Sequence, residues 1–126
     1  MTTTDALVWL ALNCYFEARG ESFDGKKMIA HVVLNRAQRR NMNVADVIRE
    51  SRQFSWYNSS VIPHIDNPAA LFECFGATFK ALMERLYGLD GYGADHYHAD
   101  YVDPYWNDSM QAVKTVGNHI FYDSSG

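Results

Sequence analysis

The stretch Tyr15-Phe16-Glu17-Ala18-Arg19-Gly20-Glu21-Ser22 closes an apolar helical run and brings together two carboxylates, a guanidinium and a helix-breaking glycine. Upstream, Leu7, Leu10, Ala11 and Cys14 recur at helical spacing, with Val8, Leu12 and Tyr15 widening the stripe. Thr3 or Thr4 is expected to cap this helix, and Asp5 falls in the first turn, where the helix dipole favours a carboxylate. Gly20 ends it, so Glu17 lies in the last turn and Glu21 just beyond. Glycosidic-bond cleavage needs a carboxylic acid kept protonated near neutral pH, and desolvation against aromatic neighbours achieves that. Glu17 follows Tyr15 and Phe16 and is the first candidate for that acid. Spacing alone fits a helix-end ion pair around Arg19 equally well.

Composition narrows the field. With 126 residues and 48% hydrophobic content, the chain is expected to form one domain, residues 1–126, with a real core. The aromatic fraction of 14% suits a ring-lined carbohydrate groove and a packed core alike. A net charge of −4 argues against nucleic acid, whose phosphates demand clustered Lys and Arg, and against attraction to an anionic membrane. Arg36, Arg39 and Arg40 read as a solvated helix end. Cys14 and Cys74 lie in helical apolar patterns and are expected as buried free thiols. No basic segment precedes the run Ala6 to Leu12, which is too short to span a bilayer. The expectation is a monomer without membrane insertion, made in the cytoplasm, that needs a separate export or release factor if its substrate lies outside.

Further along, Asp24 is expected to cap a second helix. Met28, Ile29, Val32 and Val33 form its buried face, and Lys27, His31 and Arg36 point away. Asn43 with Asp46 opens a short third helix. Residues 51 to 66 read as irregular or weakly extended. Asn67 as cap with Pro68 behind it starts the clearest helix. There Leu71, Phe72, Phe75, Phe79, Leu82, Met83 and Leu86 form a stripe expected to be core. Gly91 to His98 alternates like a strand, and Ala112 to Tyr122 is extended with a break at Gly117-Asn118. The fold class is α+β, mainly α, with a small late sheet or hairpin.

Glu17 and Glu21 are four apart, and two-carboxylate glycosidases need separations of ~5–10 Å. His96 and His98 share one face of a strand and, with His119 or an Asp, would make a zinc site. No HExxH accompanies them, and His31 and His64 look like ordinary surface or loop residues. Phosphate loops, dinucleotide fingerprints and the G-x-S-x-G elbow are all absent from the sequence.

Five separated pieces agree with one family. They are Leu10-Ala11-Leu12-Asn13 leading into Glu17-Ala18-Arg19-Gly20-Glu21; His31-Val32-Val33-Leu34-Asn35-Arg36; Gln53-Phe54-Ser55-Trp56; Gly93-Ala94-Asp95-His96-Tyr97-His98; and Val116-Gly117-Asn118-His119-Ile120-Phe121-Tyr122. In this order they resemble the SleB-like, spore-cortex-lytic type of cell-wall hydrolase, which also occurs in phages as a lysis enzyme (endolysin). The resemblance implies a lysozyme-like domain acting on peptidoglycan glycan strands in the periplasm or wall, without a cofactor. Glu17 would be the catalytic acid and base. Gln53, Ser55, Trp56, His96 and Tyr97 would bind substrate, and Glu21 and Asp95 are the candidate helpers. Asp95 stands where relatives often carry threonine, and a carboxylate there could direct water rather than a sugar hydroxyl to the anomeric carbon. The alternatives are a zinc-dependent amidase built on His96 and His98, and a non-catalytic wall-binding virion module.

Overall fold

The computed structural model describes residues 1–50 and 64–125. Helix α1 (Thr3–Ala18) is capped by Thr2, not by Thr3 or Thr4. Thr2 Oγ1 accepts the Asp5 N–H, and the Asp5 carboxylate accepts the Thr2 N–H. Of the three consecutive threonines, only Thr2 stands at the three-residue spacing that lets Asp5 reach back. Helix α2 (Phe23–Arg40) is capped by Ser22 rather than Asp24, with Ser22 Oγ accepting from Gly25 N–H. Asp24 sits in the first turn and pairs with Lys27 and Lys114. Asn43 opens α3 (Val44–Glu50) and Asn67 caps α4 (Pro68–Leu86), both as the sequence indicates.

Met28, Ile29, Val32 and Val33 are buried as expected, but His31 and Arg36 are buried too. The reason is that α2 is central. Helix α4 covers one side, and the connection through residues 88–95 covers another. His31 Nε2 lies 2.8 Å from Glu84, and a Cβ at Gly91 would sit 2.6 Å from the His31 side chain, so only glycine fits there. Arg36 Nε donates to the Asp95 carbonyl, and Asn35 Nδ2 donates to the carbonyls of Asp90 and Ala94. These polar groups satisfy a backbone that has no ladder of its own.

Helix α4 departs furthest from its sequence pattern. Its buried residues are Cys74, Ala77, Thr78 and Ala81, which bring it close to α1 and α2. Phe72, Phe79 and Leu86, expected in the core, are exposed. Periodicity reports an apolar face but not which way the face points.

Strands β1 (His96–Ala99), β2 (Gln111–Val116) and β3 (His119–Asp123) form an antiparallel sheet in the order β1-β3-β2. Gly117-Asn118 joins β2 to β3, with Gly117 at a φ of +55° that glycine accommodates freely. The inner sheet face packs Tyr97, Phe121, Val113 and Val116 against Ala18, Met28, Ile29 and Val32. Cys14 and Cys74 are buried and free. Among the described residues, no helix is long and apolar enough to cross a membrane.

Leucine at Ala77 or Ala81 should overpack the α4 contact and lower stability by about 1–3 kcal/mol. Leucine at exposed Ala69 should change it little. Urea denaturation midpoints of the three variants check this.

Candidate active site

Glu17 lies in the last turn of α1 and Glu21 in the turn to α2, both half-buried. Arg19, between them in sequence, does not neutralise either. Its Nη1 donates to Tyr15 Oη at 2.6 Å and to Asp66 Oδ1 at 2.8 Å, with the guanidinium over the Tyr15 ring. Tyr15 Oη also donates to Asp66 Oδ1 and accepts the N–H groups of Asp66 and Asn67. The knot fastens the end of α1 to the start of α4. It also holds the Asp66 carboxyl at about 2, through hydrogen bonds from Tyr15 and Arg19.

Glu21 meets the inner side of the sheet. Glu21 Oε1 lies 3.1 Å from His119 Nδ1. The Tyr97 ring sits between Phe121 at 5.6 Å and His119 at 5.7 Å. Burial, then the charge of Glu17 and, less, of Glu21, pushes the Tyr97 phenol up to about 12, with Arg36 opposing. Glu21 and His119 thus meet where α1 ends near the sheet, and the charge of Glu17 reaches the Tyr97 phenol there.

Asp95 is held elsewhere. Its carboxylate accepts from Ser124 N–H at 3.0 Å and from Ser124 Oγ, pairs with Arg39 at 2.8 Å and meets His96 Nδ1 at 3.0 Å. Burial alone would raise it, but the hydrogen bonds from Ser124 and His96 prevail and hold it at about 2. Arg39, read from sequence as solvated, is thus part of an anchor that also includes Asp123.

His96 and Tyr97 are neighbours in β1 and so lie on opposite faces of the sheet. His96 stacks near Trp106 on the outer face, at 5.1 Å, and His98 and Tyr122 complete a ring cluster there. The two histidines do share a face, as the alternation indicates. However, His98 Nδ1 is 2.7 Å from the Ala99 carbonyl and its Nε2 is 2.8 Å from Tyr122 Oη, so both ring nitrogens are occupied by protein groups. His64 is exposed. Gln53, Ser55 and Trp56 lie outside the described residues.

A family model described as Cell Wall Hydrolase matches residues 20–122. The chain belongs to that family. Among solved structures it is similar to the catalytic domain of the germination-specific lytic transglycosylase SleB from Bacillus anthracis. The identity is 28%, the TM-score 0.73, and the match covers 98% of this chain and 97% of that one. It is also similar to the catalytic domain of the Bacillus cereus SleB protein, at 27% identity and TM-score 0.73, covering 98% and 93%. No curated protein is significantly similar. The fold is thus the mainly helical, lysozyme-like one of SleB catalytic domains. The family match takes in Glu21, Asp95, His96 and Tyr97 and begins three residues after Glu17.

His119 is the member of the glutamate cluster that sequence reasoning assigned only to a metal set. Its signal was the turn Gly117-Asn118, which brings it back beside Val116 and, through the sheet, toward Glu21.

Because folded Asp95 titrates at about 2, below its ordinary 3.8, its ionised form contributes stability that is fully present above about pH 4 and disappears as pH falls toward about 2. Asp95→Asn should therefore lower stability near neutrality by about 1–3 kcal/mol. It should also flatten the loss of stability across that acid range. Thermal melts from neutral pH into the acid range test both statements.

Proposed function

We propose that the protein degrades peptidoglycan by cleaving the MurNAc–GlcNAc glycosidic bond, with Glu17 as the proton carrier. The observation that carries this reading is the placement of Glu17 in the last turn of α1, where its charge reaches the Tyr97 phenol, with Glu21 beside His119 in the turn that follows. Membership of the cell wall hydrolase family and the likeness to a lytic transglycosylase domain supply the substrate class.

In this mechanism the protonated Glu17 carboxyl donates to the glycosidic oxygen as the C1–O bond breaks. Positive charge develops at C1 and the ring oxygen of muramic acid. The Glu17 carboxylate then takes the proton from the muramic acid 6-hydroxyl, whose oxygen bonds to C1. The product is a 1,6-anhydro sugar, no water is consumed, and Glu17 ends protonated as it began. Glu21, steadied by His119, supplies negative charge beside the developing cation. Asp95 is taken up by Ser124, Arg39 and His96, so it is a poor base for water, which favours the anhydro product over hydrolysis. His96 belongs to the outer face with Trp106, so of the two β1 candidates Tyr97 is the one on the catalytic side, next to His119 of β3. Wall degradation would follow release from the compartment of synthesis, and a phage lysis role fits such an enzyme.

Glu17→Gln should reduce wall lysis by ~10²–10⁴-fold or more, with the far-UV circular dichroism unchanged. Glu21→Gln should reduce it less. Mass spectrometry of digested muropeptides should find 1,6-anhydro ends. Dominant borohydride-reducible muramic acid would mean hydrolysis. New alanine amino groups with intact glycan would replace the proposal by an amidase, and full lysis by Glu17→Gln would remove Glu17 from the chemistry.

Chelation separates the amidase independently. With both His98 nitrogens engaged, dialysis against EDTA should leave lysis of exposed peptidoglycan intact. Loss of activity restored by zinc would contradict the proton-carrier mechanism.

A further inference from the structure

The two cysteines of the chain take no part in the mechanism above, yet the fold brings them together from about 60 residues apart in sequence. Cys14 lies one turn before Glu17 in α1, and Cys74 lies in the first half of α4. Both are buried in one small cluster with Tyr15, and Phe16, Ile65, Ala70 and Leu71 pack around it. The helices approach closely here because α4 turns its small face, Cys74, Ala77 and Ala81, inward. Tyr15 Oη, bonded to Asp66 and to the Asn67 N–H, holds the start of α4 beside the same part of α1.

The two thiols are unequal. The hydrogen bond between them pushes Cys14 up and Cys74 down, with burial adding to the rise of Cys14 and opposing the fall of Cys74. The Lys26 ammonium, itself buried and 3.2 Å from Glu73 Oε1, favours the thiolate of each. Cys74 is therefore the thiol that ionises first, and Cys14 the one that keeps its proton. The thiolate is the attacking species in disulfide exchange.

We propose that Cys14 and Cys74 form a modification site, closing a bridge that staples α1 to α4 wherever a small-molecule disulfide such as glutathione disulfide is supplied. The Cys74 thiolate attacks one sulfur of that disulfide, forming a mixed disulfide and releasing one glutathione thiolate, which takes up the Cys14 proton. The Cys14 thiolate then attacks the Cys74 sulfur. The Sγ–Sγ bond forms, and the second glutathione leaves as a thiolate and is protonated from solvent. Two electrons pass from the protein thiols to the glutathione pair. Both cysteines are shielded from solvent, so exchange reaches them during folding or when α4 parts from α1. A bridge across so long a loop constrains the unfolded chain and stabilises the fold, and it does so one turn from Glu17.

The intact chain, reduced and unfolded in urea, is refolded by dilution into a glutathione–glutathione disulfide buffer and, in parallel, into excess dithiothreitol. Thiol titration should find no free thiol in the first sample and both cysteines free in the second. A non-reducing peptide map should join the Cys14 peptide to the Cys74 peptide within one chain. The bridged protein should melt about 10 °C higher, a difference that dithiothreitol abolishes. Cys14→Ala and Cys74→Ala, refolded in the same two buffers, should show no such difference, and the peptide map of the unsubstituted chain stands even if a variant misfolds. Two free thiols in the glutathione buffer, glutathione retained on either cysteine, a bridge between chains, or a bridged protein that melts no higher than the reduced one would overturn the proposal. None of these readouts is wall lysis, so the result is independent of the role of Glu17.

Discussion

The docking of the sheet on α2 is the constraint on which the rest of the molecule depends. Asn35 and Arg36 hold carbonyls of the 88–95 connection, and Arg39 reaches the Asp95 carboxylate. Asp95 in turn holds Ser124, just past the end of β3. A sheet of three short strands has little stability by itself. Fastened through these contacts, it presents Tyr97, Phe121 and His119 to the end of α1 at a fixed height.

The electrostatics of the site follow from where the cations are spent. Arg19 is bound to Tyr15 and Asp66, and Arg39 to Asp95 and Asp123. Glu21 lies against His119, and the charge of Glu17 reaches the Tyr97 phenol. The Asp95 carboxylate is held by Ser124, Arg39 and His96 and so ties the end of β3 to α2.

The two faces of the sheet do different work. The inner one builds the core and completes the glutamate cluster. The outer one gathers His96, His98, Trp106 and Tyr122 into a ring cluster in which His98 and Tyr122 are buried, with hydrogen bonds that fix His98. Strand alternation makes this division automatic, because a one-residue step reverses the face.

By itself the sequence determined what local chemistry and ordered motifs can determine. The helix ends at Asn43, Asn67 and Gly20, the hairpin at Gly117-Asn118, the shared face of His96 and His98, and the position of Glu17 in a last helical turn were all legible, because each depends on groups a few residues apart. Membership of the cell wall hydrolase family was legible from five short pieces in order. Tertiary structure alone decided the rest. His31 and Arg36 look solvated in a helical wheel, but α2 is enclosed on several sides, and burial depends on neighbours distant in sequence. Phe72 and Phe79 of α4 look like core, but close packing against α1 and α2 selects the small face of Cys74, Ala77 and Ala81 and leaves these two outward. The sequence sets Asp95 beside His96, but only the fold brings Ser124 and Arg39, both distant in sequence, to its oxygens.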